Sequence, residues 1–407
     1  MIPGAGGFVG RGEETAAVLS ALLDSGSAGA VVSGEAGSGK TALTRQVLHR
    51  LEGRMRCFPV HASRALAAVP YGALAPHLGR PASDDDAVAV MRRLTDHFHR
   101  GSREDPAGRE HRRDGQVLLV VENAQDLDAD SSYVISHLVM SGAVRALVLN
   151  RRSGRRSQEP GCLGSDGLLR QVRLPQLTQA QVHELCSLAL SGPVARGTSG
   201  FIAEAAAGNP LFVRALLAWG RRQHALVRRN GVWVFVDEAP APDTRIQDLV
   251  RSLAAERPAG EQAVLELLAL AGGLPYAALR RLADEADVAN LLDEGILDRT
   301  ADGAPRIYLR SPVFADVLAA SVPYGRSTAI RRRAAAACGT ESWNGAVPAR
   351  YLEWGLECGD VSSPGELLAA ARKANGQHRP RRALRLARAV ADPAFSAASG
   401  VQQARAL

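Results

Sequence analysis

Hydrophobic and polar positions in the first part of the chain alternate in blocks that predict buried strands separated by helices. The sequence predicts strands at 28–33, 56–63, 117–123, 145–150 and 170–174, and the third of them contains an unbroken apolar run at 117–121. Between them, 41–51 and 131–140 repeat apolar residues at the spacing of one helix face. Alternation of this kind is typical of a doubly wound α/β domain with a parallel sheet, which we predict over residues 1–176.

Beyond residue 176 the pattern becomes mainly helical. Residues 177–236 predict a helical lid region with a small hairpin, because Asn230-Gly231 lies between β-rich flanks. Residues 243–322 predict a winged-helix domain, with a β-hairpin after helices near 244–256, 260–271, 275–285 and 287–294. Residues 323–407 predict the start of tetratricopeptide-like helical repeats. Because such an array needs about three copies to bury a continuous core, we expect the chain to be truncated.

The stretch GEAGSGKT at 34–41 fits the P-loop pattern and stands between a predicted strand and a predicted helix. Glycines let the backbone curl around a phosphate, and the helix that follows directs the positive end of its dipole at the same anion. Only Lys40 and Lys373 are lysines in a chain with 49 Lys plus Arg. The predicted nucleotide-binding residues of this loop are Gly34, Gly37, Ser38, Gly39, Lys40 and Thr41.

Polar residues end two of the predicted central strands. Glu122 and Asn123 follow the apolar run 117–121, at the edge where ligands of open α/β sheets bind. We predict that Glu122 and Thr41 hold Mg²⁺ and that Glu122 and Asn123 occupy the catalytic positions. An amide takes no proton near neutral pH, so Asn123 cannot be a general base.

A further prediction concerns the residues that follow the next central strand. After the strand at 145–150, Arg152 is the candidate sensor of the γ-phosphate, with Arg151 as the alternative.

Composition narrows the class of protein. The net charge is +7, but the arginine pairs are dispersed and lack interleaved aromatic residues, which favours solvated surface over a nucleic-acid site. The five cysteines are scattered, so reduced thiols are expected. With no apolar run of eighteen residues and no signal peptide, we expect a cytoplasmic protein without a membrane partner.

Five motifs in order resemble one family: FVGR at 8–11, GEAGSGKT at 34–41, LLVVENAQDLDADS at 118–131, GNPLF at 208–212 and IYLRSPVFADVL at 307–318. The chain resembles the N-terminal ATPase part of the large ATP-binding LuxR-type transcriptional regulators of actinobacterial type, a branch of the STAND signalling NTPases. The resemblance implies an AAA-like nucleotide domain that binds ATP or ADP with Mg²⁺. It also implies self-association on activation, and DNA binding only through a C-terminal helix-turn-helix not present in this chain.

The resemblance also assigns residues outside the P-loop. Phe8, Val9 and Arg11 match the family's adenine-side motif, and Pro210 matches its Gly-x-Pro motif. Ser311 stands where the family commonly has a histidine that contacts the nucleotide.

Three functions remain open from the sequence. The first is a nucleotide-controlled switch in transcription regulation, with hydrolysis weak or absent. The resembled family usually has two acids where this chain has Glu122 and Asn123. Asp126 or Asp128 can replace the missing base only if the loop after Asn123 folds back. The second is an active AAA-type ATPase of the Orc/Cdc6 kind, which needs an intact acidic pair. The third is a nucleotide-bound scaffold without a DNA role.

Overall fold

Two units make up the described part of the chain. The computed structural model describes residues 9–24, 26–79, 86–99, 116–151, 167–236, 244–301, 305–338, 343, 347–376 and 380–407. Unit 1 holds the described residues up to Ala189 together with Asn209–Leu211. Unit 2 holds Leu190–Gly208 and the described residues from Phe212 onward. The finer four-part division expected from the sequence stays a prediction.

A five-stranded parallel sheet forms the centre of unit 1. Its strands are β1 (Gly29–Gly34), β2 (Met55–His61), β3 (Gln116–Glu122), β4 (Arg145–Arg151) and β5 (Arg170–Arg173). Their order across the sheet is β2-β3-β4-β1-β5, so β1 lies between β4 and β5. This confirms the doubly wound α/β fold expected from the apolar runs.

Helices cover both faces of this sheet. They are α1 (Gly12–Leu23), α2 (Lys40–Arg50), α3 (Ala75–Leu78), α4 (Ala87–His99) and α5 (Ala129–Met140), and α6 (Gln179–Ala189) follows β5. Successive strand residues point to opposite faces. Leu119 of β3 therefore packs in one core with α4 and α5. Leu118 packs in the other core with α1 and α2. An unbroken apolar strand is what burial on both faces requires.

Unit 2 begins with two helices and a hairpin. The elements are α7 (Arg196–Ala206), α8 (Pro210–Arg222, whose first two residues belong to unit 1), β6 (Leu226–Arg229) and β7 (Val232–Phe235). Asn230 and Gly231 between β6 and β7 have φ values of 50° and 82°. Positive φ at both central residues is what the tight hairpin predicted from this dipeptide requires.

Helices and a small antiparallel sheet follow in unit 2. They are α9 (Thr244–Ala255), α10 (Ala259–Ala271), β8 (Leu274–Pro275), α11 (Tyr276–Leu279), α12 (Glu285–Asp293), β9 (Leu297–Arg299), β10 (Arg306–Leu309) and α13 (Pro312–Ser321). The sheet order is β8-β10-β9. The helix expected over 275–285 is only four residues long, because Asp284 accepts a hydrogen bond from Ala286 N and caps a new helix there. The winged-helix interpretation stays a prediction.

The chain closes with five helices. They are α14 (Tyr324–Ala337), α15 (Ala349–Glu357), α16 (Pro364–Gly376), α17 (Pro380–Arg388) and α18 (Ser396–Ala406). Leu352, Leu367 and Leu386 meet in one apolar cluster that joins α15, α16 and α17. The relation to tetratricopeptide repeats stays a prediction. No helix in the described ranges combines the length and the apolar composition needed to cross a membrane.

Two of the places where charged groups are buried in unit 2 bear on its stability. Arg257 donates to Glu261 at 2.9 Å and to Glu294 at 2.6 Å, and all three side chains are largely buried. Glu353 is 1% exposed and lies 3.0 Å from Arg382 Nε. Burial raises the pKa of the Glu353 carboxyl, and the neighbouring arginines, Arg382 first among them, only partly oppose this shift.

Candidate functional site

The P-loop forms the turn between β1 and α2. Gly37 and Gly39 have φ values of 80° and 100°, a left-handed conformation that glycine adopts without steric cost. Gly34 has no room for a side chain, because a Cβ there would lie 2.7 Å from Ser38 Oγ. The glycine spacing of the motif is therefore required by the backbone path of the loop.

The Lys40 ammonium lies against its own loop. Its Nζ donates to Gly34 O at 2.7 Å and to Glu35 O at 2.8 Å, so the positive charge stands where the loop curls. Lys40 is also the first residue of α2, and Thr41 follows it with an exposed side chain. The first N–H groups of a helix have no acceptor within the helix, and together with a lysine they form an anion site.

Arg11 braces the loop from the N-terminal side. Its guanidinium is 3% exposed and donates to Ser38 O at 3.3 Å and to Pro175 O, and it pairs with Glu14 at 3.2 Å. The buried arginine therefore joins the P-loop to the segment after β5. The sequence assigned Arg11 to the adenine side, and that role stays a prediction beside the bracing role seen here. Val9 is buried, whereas Phe8 lies outside the described residues.

Two amide side chains hold the loop from other parts of the chain. Gln176 donates to the Glu35 carboxylate, and Asn209 Nδ2 donates to Ala36 O at 2.9 Å. Sequence reasoning missed both, although Asn209 precedes Pro210 within the GNPLF motif. Pro210 itself is the first residue of α8, a position where its missing N–H leaves no hydrogen bond unmade. Its predicted contact with nucleotide stays a prediction.

At the end of β3, Glu122 is paired with a residue that the sequence did not single out. Its Oε2 lies 3.1 Å from Nδ1 of His61, the last residue of β2, and the two residues are in register across the parallel strands. The Glu122 side chain is 28% exposed. A histidine at the end of an adjacent strand was the available signal, but strand pairing cannot be read from one sequence.

Asn123 follows in a left-handed conformation, with φ 55° and ψ 45°. Its Nδ2 donates to Ala62 O at 3.4 Å. Asparagine tolerates this conformation better than most residues. The Asn123 side chain is therefore bonded to the backbone of Ala62. A carboxamide is not basic enough to take a proton from water, so the position after Glu122 has no general base.

The two aspartates beyond Asn123 are engaged elsewhere. Asp128 is 4% exposed, caps α5 by accepting from Ser131 N at 2.8 Å, and accepts from Tyr71 N at 3.0 Å. Asp126 accepts from the Gln125 side chain at 3.1 Å. Either aspartate could replace the missing base only if the loop folded back toward the site. The hydrogen bonds of Asp128 to Ser131 N and Tyr71 N instead use its carboxylate to cap α5 and to hold the backbone at Tyr71.

Arg151 ends β4 opposite Gly34, where the P-loop begins. Its N–H donates to the Gln125 side chain at 3.2 Å. Arg152, the preferred sensor candidate, lies outside the described residues. Arg151 is therefore the arginine that the sheet brings to the start of the P-loop.

Three polar atoms near the P-loop lack a protein partner. Ser38 Oγ, Asn150 Oδ1 and Gln176 Oε1 are buried and make no hydrogen bond within the described residues. Buried polar atoms normally have a partner, so a ligand or water that completes the site would account for them. Together with the lysine, the glycine turn and the carboxylate of Glu122, they fit a magnesium-bound nucleotide.

Ser311 is distant in sequence and belongs to unit 2. Its Oγ donates to Ala205 O at 3.0 Å and accepts from Phe314 N at 3.3 Å, which caps α13. The hydroxyl therefore joins α13 to the end of α7. In the resembled family the histidine common at this place holds the resting state, and the expectation that a neutral serine holds that state more weakly stays a prediction.

Residues 7–149 match the family model described as AAA ATPase domain. This part of the chain is therefore similar to AAA ATPase domains. The matched range contains the P-loop and strands β1 to β3 and ends inside β4. No protein in a search of curated sequences matches the chain.

Several solved structures are similar to this chain. The Aeropyrum pernix ORC1 protein in complex with DNA is 19% identical, covering 78% of this chain and 94% of its own, with a TM-score of 0.43. The Aeropyrum pernix ORC2 protein is 14% identical, covering 80% of this chain and 94% of its own, with a TM-score of 0.47. A Pyrococcus horikoshii STAND protein with a tetratricopeptide repeat sensor is 15% identical over 98% of this chain, with a TM-score of 0.33. The match spans 57% of that protein.

Proposed function

We propose that this chain is the ATP- or ADP-binding switch module of a LuxR-type transcriptional regulator, with weak or absent hydrolysis. One observation carries the proposal. The P-loop is complete and is held by hydrogen bonds from Arg11, Gln176 and Asn209. In the same sheet, β3 ends in the carboxylate of Glu122, and the amide of Asn123 follows it. Such a site has the groups to hold a nucleotide and lacks one that hydrolysis needs.

Each residue has a role in this proposal. Lys40 binds the β- and γ-phosphates, and the N–H groups at the start of α2 surround them. The Thr41 hydroxyl and the Glu122 carboxylate hold Mg²⁺, which neutralises phosphate charge when bound. Arg151 or Arg152 senses the γ-phosphate. The place of Arg151 at the carboxyl end of β4 supports its assignment, because the carboxyl ends of parallel strands share one edge of the sheet.

Slow hydrolysis follows from the chemistry of Asn123. A general base must accept a proton from water, and the carboxamide has no acceptor of suitable basicity. The bond to Ala62 O also holds the side chain against backbone. A nucleotide that is not consumed acts by binding one conformation better than another, and the resulting population shift drives assembly. DNA is then bound by a C-terminal helix-turn-helix outside this chain.

Calorimetric titration with Mg²⁺-ATP and Mg²⁺-ADP tests the binding part. We expect saturable binding that Lys40→Ala weakens at least about tenfold, because the charge–phosphate contact is lost. Lys373→Ala is the matched control, since Lys373 is the other lysine and is exposed on α16 in unit 2. Binding that is equal in the two variants would refute the P-loop assignment.

Steady-state turnover tests the hydrolysis part. Asn123→Asp supplies a carboxylate of the same size and should raise ATP turnover by about tenfold or more over a low wild-type rate. Robust wild-type turnover that Asn123→Ala abolishes would contradict the switch proposal and would favour an active ATPase.

A further inference from the structure

Three residues of unit 1 are separated in sequence from its other residues. Asn209–Leu211 belong to unit 1, whereas the chain directly before and directly after them belongs to unit 2. Helix α8 begins at Pro210 and continues through Arg222 into unit 2. The first two residues of this helix therefore belong to unit 1.

Asn209 makes the connection to unit 1. Its side chain is buried, at 5% exposure, and both ends of its carboxamide are used. Nδ2 donates to Ala36 O of the P-loop at 2.9 Å, and Oδ1 accepts from Leu211 N at 3.0 Å, in the first turn of α8. One planar group thus fixes the loop and the beginning of the helix at a constant separation.

The bond also orients the backbone of the loop. A trans peptide directs its C=O and N–H in opposite directions, so a bond to Ala36 O sets the direction of Gly37 N–H. Contact at Gly37 is close, because a Cβ there would lie 2.7 Å from Asn209 Oδ1 and 2.7 Å from Leu211 Cβ. The Ala36–Gly37 peptide cannot turn without moving Asn209.

The residues before Asn209 can absorb such a movement. Ala207 and Gly208 both have left-handed backbones, with φ values of 50° and 71°, and they end α7. Consecutive residues at an element end that already lie outside the helical region are typical positions for a change of backbone direction.

We propose that Asn209 is a positioning residue of the nucleotide site and couples the state of the P-loop to the start of α8. The proposal rests on the nucleotide binding proposed above. When phosphate fixes the loop amides, Ala36 O is held toward Asn209, and the first turn of α8 is fixed with it. Without nucleotide the loop and the segment loosen together.

Two substitutions separate this role from simple helix capping. Asn209→Asp keeps an acceptor for Leu211 N, and Asp caps helices as well as Asn does, but it cannot donate to Ala36 O. Asn209→Ala loses both bonds. We expect both variants to weaken ADP affinity about tenfold in calorimetry. If Asn209 acted only as a cap, Asn209→Asp would bind ADP as tightly as the wild type, and the proposal would fail.

Tryptophan emission measures the coupling. All four tryptophans, Trp219, Trp233, Trp343 and Trp354, lie in unit 2, whereas the P-loop lies in unit 1. We expect saturating ADP to change the emission of the wild type and to change it by less than half as much in Asn209→Asp at its own saturation. An unchanged wild-type emission on binding, or an equal change in the variant, would overturn the coupling. A wild type that binds no ADP would refute the proposed function itself.

A measurement on the wild type alone covers the case of a variant that does not fold. Saturating ADP should slow hydrogen exchange of the Leu211 amide at least about tenfold, because its acceptor is held with the loop. Exchange at Leu211 that is the same with and without ADP, in protein shown by calorimetry to bind it, would contradict the proposal while leaving the binding site intact.

Discussion

Alanine at Gly37 should destabilise nucleotide-free protein more than alanine at Gly39. Both positions have a left-handed backbone, and a non-glycine residue there costs about 1–2 kcal/mol. At Gly39 the added methyl meets nothing within 4 Å, so this strain is the whole effect. At Gly37 the methyl would lie 2.7 Å from both Asn209 Oδ1 and Leu211 Cβ, and overpacking of this kind adds about 1–3 kcal/mol.

The expected difference between Gly37→Ala and Gly39→Ala is therefore about 2 kcal/mol, or about 4–8 °C in Tm for a unit of this size. Thermal and urea unfolding followed by far-ultraviolet circular dichroism, without nucleotide, measures it. Combining Gly37→Ala with Asn209→Ala should reduce the extra penalty, because one of the two close contacts is removed. Equal destabilisation by the two glycine substitutions would refute the conclusion that Asn209 and Leu211 pack closely against Gly37 of the loop.

Two further predictions concern buried charge in unit 2. Arg257→Ala should destabilise unit 2 by about 3–5 kcal/mol, because the buried carboxylates of Glu261 and Glu294 lose their shared partner. Urea unfolding followed by tryptophan emission measures this, and a loss of stability below about 1 kcal/mol would contradict it. Glu353 has a pKa raised above its ordinary value of 4.5, so its ionisation costs stability as pH rises through the raised pKa. The stability of Glu353→Gln relative to wild type should therefore increase from pH 4.5 upward, and a difference that is constant or falls with pH would show that Arg382 outweighs burial.

The sheet and the P-loop could be predicted because each is encoded locally. An apolar run such as 117–121 indicates a strand without knowledge of its neighbours, and GEAGSGKT carries its backbone requirements in its glycines. The hairpin at Asn230-Gly231 is local in the same sense. The strand order was not predictable from these runs, because pairing depends on which strands meet in space.

The residues that hold the site were missed for the same reason. Gln176 and Asn209 lie far along the chain from the loop they contact, and glutamine and asparagine are ordinary surface residues in a sequence. His61 meets Glu122 only because β2 pairs with β3 in register. Asp128 is a candidate replacement for the missing base from the sequence, but its position three residues before Ser131 is also that of a helix cap, and the cap is what the structure contains.

The position of β5 at the edge of the sheet matters for the choice of a fragment that contains the P-loop. The family match ends at residue 149, and a fragment ending there would lack β5. Strand β1, now paired on both sides, would then expose a row of unpaired backbone groups beside the buried Val31 and Val32. Such an edge promotes association between copies, which would be mistaken for nucleotide-driven assembly. A fragment that ends at Leu211 keeps β5 and the Asn209 bond to the P-loop, and it is the shortest contiguous piece that keeps all of unit 1.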